Sequence, residues 1–455
     1  MKKMKVLSLV LMALMLIVTA CGGNNTGSNN PANENVSANN GAAKNAEAPA
    51  EEAKEEAAAD LGGRVIRMAA WWDMTPKGET AGEKARLEKI AEIEKKYNVK
   101  IEFVNVPFEE YMNKFTTTVL AGEPFADIVQ LEYKSAIAPV LKGQLLPLSE
   151  FTTADNDINN AQKLTIKLPP LAGGEYGFDT PGLSSVGIHY NRDLFKKLGL
   201  PDLQDVYNSG EWTWDKFLEI AKQATRDTDN DGKTDTYGFS GWTGNIVPNF
   251  AASNGGKIAD DETGKEGLSD PRVIEALEFV NRLYNQENVV FVKGGNKTDY
   301  NEFNTYKDGN VAMFIGYEWM LGDQPFEVGV VPMPIGPQGT KDFTYANTAL
   351  GGKFIPKGIK DPQVVYQIFE EMQDVPPTEE YVGQDYMESK YSTEADIQMI
   401  RDNIQGTGMV YVHEGYPDFP IGAVIEDIIV NNVSVSSTVE KYKQQAQASM
   451  DKLKP

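Results

Sequence analysis

From residue 64 onward the apolar positions switch between a two-residue and a 3.6-residue period. Residues 65–70 form a short β-like run, and residues 81–97 then set Leu87, Ile90, Ile93 and Tyr97 on one helical stripe with charges elsewhere. Residues 99–106 open with the alternation Val99, Ile101, Phe103 and read as a strand. Residues 108–120 read as a helix with Tyr111, Met112, Phe115 and Val119 inward, and 126–131 as a third strand interrupted by Asp127 and Gln130. Strands separated by helices of this length predict right-handed βαβ crossovers and a parallel-rich sheet. Ligands of such sheets sit beyond the carboxyl ends of the strands. Trp71, Trp72 and Asp73 follow the first strand there, and Glu132 and Tyr133 the third.

A second α/β unit follows Tyr190. Thr213 is an N-cap with Asp215 in the first turn, and Phe217, Ile220, Ala221 and Ala224 form the inward stripe of its helix. Asp270-Pro271 opens a later helix whose stripe includes Ile274, Leu277, Val280 and Leu283 or Tyr284. Two lobes suit 455 residues, too many for one core.

Before this body lies a different composition. Lys2, Lys3 and Lys5 precede an uncharged, mostly apolar run over 6–20, then Cys21 and two glycines. The run is short for a bilayer span and reads as a signal peptide, 1–20. Val18-Thr19-Ala20-Cys21 resembles the bacterial lipoprotein signal, which implies that Cys21 is lipidated and becomes the mature N-terminus. Residues 21–63 hold almost no large apolar side chains and predict a disordered tether. A chain with 43 basic and 66 acidic residues and net charge −23 repels nucleic acid. One cysteine excludes an intramolecular disulfide and a thiolate zinc cluster, and two histidines leave little for a histidine-rich metal site.

Several short strings carry a family resemblance by their order: IEKKY at 93–97, ADIV at 126–129, GEYG at 174–177, YNRDLF at 190–195, TWDKF at 213–217, AASNGG at 251–256, GNVAM at 309–313, GVVPMP at 329–334 and FIPKG at 354–358. Over about 64–375 the chain resembles the extracellular solute-binding proteins that feed bacterial ABC importers, in the carbohydrate-binding family that includes the maltose-binding protein. The resemblance implies a two-lobe periplasmic-binding-protein-like α/β fold of type II. It places lobe 1 at 64–186 plus about 350–390, and lobe 2 at 187–349 plus about 391–455. The crossings would fall near 183–189 and 346–353, with Leu350-Gly351-Gly352 as hinge. It further implies a monomeric receptor, lipid-anchored outside the cytoplasmic membrane, that captures a carbohydrate, an oligosaccharide, between the lobes and delivers it to ABC permease subunits.

A sugar site needs flat aromatic platforms and planar polar side chains. By the resemblance, Trp242 and Asn245 supply second-lobe contacts, Trp319 stacks on sugar, and Trp71, Trp72, Asp73, Glu132 and Tyr133 lie in first-lobe contact loops. Core packing competes for each of these aromatics, most for Trp72 and Tyr133. Trp214 is assigned to packing and Trp212 to no role. Asp227, Asp229 and Asp231, with the carbonyl of Lys233 and the carboxylate of Asp235, match positions one to nine of a calcium loop, with Gly232 at the tight turn. Position twelve is Gly238 where the motif has glutamate, so the expected structural Ca2+ site is weak; a solvated acidic loop is the alternative.

Catalysis is not expected. His189 and His413 are the only histidine bases, and there is no Gly-x-x-x-x-Gly-Lys-Ser/Thr string to bind ATP, so a partner would supply the energy. Two readings compete: a secreted polysaccharide-cleaving enzyme, which needs only two carboxylates, and the same fold holding a peptide or polyamine.

Overall fold

A computed structural model describes residues 60–453 apart from 153–163, 168–173, 180–185, 341–345, 349–350, 377, 379–382 and 404–407. The leader, Cys21, nearly all of the tether and Leu350 lie outside the described residues.

The chain begins β1 (Arg64–Ala70), α1 (Ala81–Tyr97), β2 (Val99–Asn105), α2 (Phe108–Leu120), β3 (Ile128–Glu132) and α3 (Tyr133–Leu141). It continues through β4 (Leu164–Lys167), β5 (Glu175–Asp179), β6 (Val186–Asn191), α4 (Arg192–Leu198), α5 (Leu203–Asn208), α6 (Trp214–Ala224), β7 (Tyr237–Ser240) and α7 (Thr243–Ser253). A small hairpin, β8 (Ala259–Asp260) and β9 (Lys265–Glu266), precedes α8 (Pro271–Asn285), β10 (Val311–Tyr317), β11 (Val328–Val331), β12 (Ala346–Thr348) and β13 (Gly351–Phe354). The last part holds α9 (Pro362–Gln373), α10 (Gln384–Lys390), α11 (Glu394–Asn403), β14 (Gly408–Val410), α12 (Ile421–Ile425) and α13 (Val435–Asp451).

Local chemistry sets the ends of these helices. Thr80 and Glu83 form a capping box at the start of α1, and Asn98 closes it in the left-handed region at φ 48°. Thr213 accepts the Lys216 N–H at the start of α6, and Asp270 accepts the Arg272 N–H ahead of Pro271. On α1, Ile90, Ile93 and Tyr97 are buried, but Leu87 is 40% exposed and leaves the expected stripe. Its side chain lies beside the loop at Gly78.

Two sheets carry the fold. The first has the order β2-β1-β3-β13-β5-β4 and the second β11-β6-β10-β7. Pairing is parallel between β1 and β2, β1 and β3, and β7 and β10, where helices make the crossovers. The other pairings within the two sheets are antiparallel, so the sheets are mixed where periodicity alone predicts parallel strands. The reason is long-range: β13 arrives from far along the chain and runs against β3, a return that no local pattern encodes.

The first sheet is covered on both faces. Ile66, Met68 and Ile128 pack with α1 and α9 through Ile93, Val365 and Phe369. Ala69, Val129 and Leu131 face Tyr111, Phe115, Ile137 and Val140 instead. The second sheet lies in one large core around Trp212, Trp214, Phe217 and Phe250. Met387, Tyr391, Ile397 and Ile400 join that second core, so α10 packs with the second sheet, not with the first as a boundary near 390 expects.

His189 falls within β6, paired to Phe314 and Val330, so the expected crossing at 183–189 is strand from Val186 onward. Its ring is buried and shares a hydrogen bond with the Tyr391 hydroxyl at 2.8 Å. Burial lowers its pKa to about 3. The unfolded chain, titrating near 6.5, therefore binds more protons between pH 6.5 and 3, and stability falls as pH drops through that window by about 1.4 kcal/mol per unit. In urea titrations across this range, His189→Gln is expected to lack that component, so its stability deficit against the parent should shrink with acidification.

Candidate functional site

Strands covered on both faces expose their chemistry at their ends, and the aromatic and acidic residues singled out in the sequence gather there. Trp71, Trp72 and Asp73 follow β1 at its carboxyl end. Trp71 is the hub of an edge-to-face cluster, 5.1 Å from Trp72, 5.6 Å from Phe108 and 5.6 Å from Tyr111. Trp72 is exposed, and Asp73 accepts the Thr75 N–H, which holds its carboxyl below the usual range.

At the end of β10, Trp319 stacks on the buried Tyr317 with ring centroids 5.5 Å apart and planes at 15°. Half of Trp319 remains open to solvent, as a flat platform requires. Neighbouring β7 ends at Ser240, and Trp242 caps α7 beside it, edge-on to Tyr300 at 5.2 Å. Asn245 is buried, with its amide 3.8 Å from the Met320 sulfur, which links the ends of β7 and β10.

Glu132 ends β3, and Tyr133 starts α3 as a buried side chain, not as a loop contact. The Tyr133 hydroxyl donates to Asp261 at 3.4 Å, joining α3 to the turn of the β8–β9 hairpin. Burial raises the carboxyl pKa of both Glu132 and Asp261.

The C-terminal part of the chain adds residues that the sequence did not signal. Lys134 reaches Glu414 in a short ion pair, lies 3.5 Å from Glu132, and sits 4.7 Å over the Tyr411 ring, whose hydroxyl is 3.1 Å away. Burial works against its charge, but Glu414 and Glu132 outweigh it, with Tyr317 adding to them, and the lysine pKa rises. Lys134 thus ties the end of β3 to the segment at 411–416. His413 is buried between Tyr411 and Phe419, and burial lowers its pKa to about 4, so it is a neutral packing group. No local pattern marks these residues, because their partners lie some 280 positions away.

In the acidic loop, Asp227, Asp229 and Asp235 bring one carboxylate oxygen each within 4.8 Å of one another. Asp231 stands apart from this group. It accepts the Lys233 N–H at 2.8 Å and lies 3.7 Å from the Lys233 ammonium. Packing explains the glycine at position twelve: a Cβ on Gly238 would lie 2.2 Å from the Ala221 carbonyl oxygen. The three convergent hard oxygen donors suit Ca2+.

A separate hollow of about 530 Å³, lined in part by Phe326, Glu327, Ser389 and Lys390, includes none of the residues named from the sequence. Phe326 is its one aromatic lining residue, against the several tryptophans at the strand ends, which remain the better site.

The sequence profile of the bacterial extracellular solute-binding proteins matches residues 77–374. The chain belongs to that family. No curated protein sequence matches it. Solved structures resemble this solute-binding protein in fold. The Listeria monocytogenes ABC substrate-binding protein Lmo0181, in complex with cycloalternan, is 18% identical with a TM-score of 0.60, covering 86% of this chain and 99% of its own. The maltose/maltodextrin-binding domain of Bdellovibrio bacteriovorus, bound to maltotriose, is 17% identical with a TM-score of 0.55 over 85% and 99%. Mycobacterium tuberculosis UgpB, in complex with glycerophosphocholine, is 18% identical with a TM-score of 0.61 over 86% and 99%. All three share the two-lobe architecture of the family. No helix among the described residues is long and apolar enough to cross a membrane.

The seat of the 411–416 segment on α3 depends on Gly415, where a Cβ would meet the Lys134 carbonyl oxygen at 2.3 Å. Gly415→Ala is expected to cost about 1–3 kcal/mol in urea unfolding. An unchanged midpoint would show that the segment is not held tightly there.

Proposed function

We propose that this solute-binding protein is an extracellular receptor, tethered through a lipidated Cys21, that captures an oligosaccharide between its two sheets and hands it to the permease of an ABC importer. The observation that carries this reading is the Tyr317–Trp319 stack, half open to solvent at the end of β10. Exposed flat rings match the C–H faces of pyranoses, and the carboxylates and amide around them suit hydroxyls. Cycloalternan and maltotriose bound to proteins of this fold support a sugar.

The bound glycerophosphocholine of another relative raises an anionic alternative. The charge balance disfavours it. Lys134 is engaged by Glu132, Glu414 and Tyr411, so its charge is already matched. Reversible capture without turnover separates the receptor from a polysaccharide-cleaving enzyme.

Trp319→Ala is expected to weaken sugar binding by about 1–3 kcal/mol, read by fluorescence or calorimetric titration. Undiminished affinity in a folded variant would move Trp319 from the site to the surface.

We also propose that the loop of Asp227, Asp229 and Asp235 holds a structural Ca2+, with the Lys233 carbonyl as a further oxygen and Asp231, which is turned to Lys233, outside the ligand set. A weak site of roughly 10⁻⁴ M fills outside the cell. Adding 1 mM Ca2+ to chelator-treated protein should then stabilise the fold by about 1.4 kcal/mol and raise Tm by roughly one to three degrees. Asp229→Asn should abolish the shift, and no shift in the parent protein would remove the ion.

A further inference from the structure

The stack of Trp319 on Tyr317 stands at the end of a strand that has outrun one of its neighbours. The ladder between β7 and β10 ends at the pair Ser240–Phe314, whereas β10 runs on to Tyr317. Residues 318–320 then make a single tight turn, closed by the Leu321 N–H donating to the Glu318 carbonyl at 3.2 Å. Turns of this kind have poor hydrogen-bond geometry, and the attraction between two stacked rings is modest. A tryptophan with half its surface in water therefore keeps a fixed direction only if the turn beneath it is held from elsewhere.

Met320, at the far end of the turn, is placed to hold it. Its side chain is buried, and its sulfur lies 3.4 Å from the Tyr317 backbone nitrogen and 3.8 Å from the Asn245 side-chain amide nitrogen. A thioether sulfur is a weak acceptor, and here two donors converge on it. One atom thus closes the turn from Met320 back to Tyr317 and joins it to α7, beyond the point where β7 stops pairing. Gly316 leaves the room for this approach: a Cβ there would lie 3.1 Å from the sulfur and 2.5 Å from the Phe314 ring. Methionine ordinarily fills gaps through its flexibility, and the two donors remove that freedom at this position.

We propose that Met320 is a positioning residue, whose sulfur fixes the turn at 317–320 and so holds the Trp319 ring parallel to Tyr317 with its outer face open before any ligand arrives. Its consequence for affinity rests on the oligosaccharide reading above; its consequence for the ring does not. Leucine fills nearly the same volume and accepts nothing, so Met320→Leu leaves the Tyr317 N–H and the Asn245 amide without the sulfur while the packing is kept.

The test reads the ring directly. Near-UV circular dichroism of the full chain is recorded for the parent and for Trp319→Phe, and their difference isolates the signal of Trp319 against Tyr317. The same difference taken in the Met320→Leu background should fall by about half or more, because a ring free to swing averages out the coupling that a fixed stack gives. Tm should stay within about 3 °C of the parent. Met320→Gln keeps the side-chain length, supplies a carbonyl acceptor and should restore the signal. In fluorescence titrations with maltotriose, cellotriose and mannotriose, the sugar that the parent binds should bind Met320→Leu about 3- to 10-fold more weakly, the size of one lost hydrogen bond, and Met320→Gln nearly as well as the parent. An undiminished difference spectrum in folded Met320→Leu would overturn the proposal. Equal losses in Met320→Leu and Met320→Gln would overturn it too, by showing that the methionine serves packing alone. If the parent binds none of the three sugars, the oligosaccharide reading fails, and the difference spectra still decide the role of Met320.

Discussion

Coverage of the first sheet on both faces governs where this protein can meet a ligand. Along β1, Ile66 and Met68 face α1 and α9 while Ala69 faces α2 and α3, so the strand surfaces are spent on packing. What remains is the row of strand ends, where each chain leaves the sheet and its next residues are free of the ladder. Trp71 and Trp72 after β1, Glu132 at the end of β3 and Tyr317 at the end of β10 owe their positions to that constraint. The helices enforce it in turn, because parallel strands need a covering crossover between them.

Helix boundaries were legible because their determinants are local. Thr80, Glu83 and Asn98 sit within α1 or beside it, and the spacing of Ile90, Ile93 and Tyr97 reports the buried face. Strand direction was less legible. The parallel βαβ units follow from alternation, whereas β13 enters against β3 after more than two hundred intervening residues. A single residue illustrates the same limit: Leu87 continues the helical period yet is left exposed, because periodicity carries no information on which neighbours a position meets.

The candidate site divides along the same line. The strand-end rule singles out Trp72, and the resemblance of the strings around them to the family singles out Trp242 and Trp319. Lys134, Glu414 and Tyr411 were not singled out, since an ion pair between residues 280 apart leaves no trace in either local string. The missed group also changes the electrostatic picture. A lysine beside the site suggests affinity for anions, yet two carboxylates and an aromatic face already satisfy this one.

That arrangement bears on how the two sheets are held together. Tyr133 and Asp261 join α3 to the β8–β9 hairpin through one hydrogen bond at 3.4 Å, and burial raises the pKa of that carboxylate. A contact of this kind nets about 1 kcal/mol before the cost of desolvating the acid is counted. It is too weak to fix the relative position of two lobes by itself. A ligand shifts such an equilibrium only by binding one arrangement better than the other. Under the proposed reading, the open faces of Trp72 and Trp319 would supply that difference, because a sugar between them would gain both surfaces only as the lobes approach.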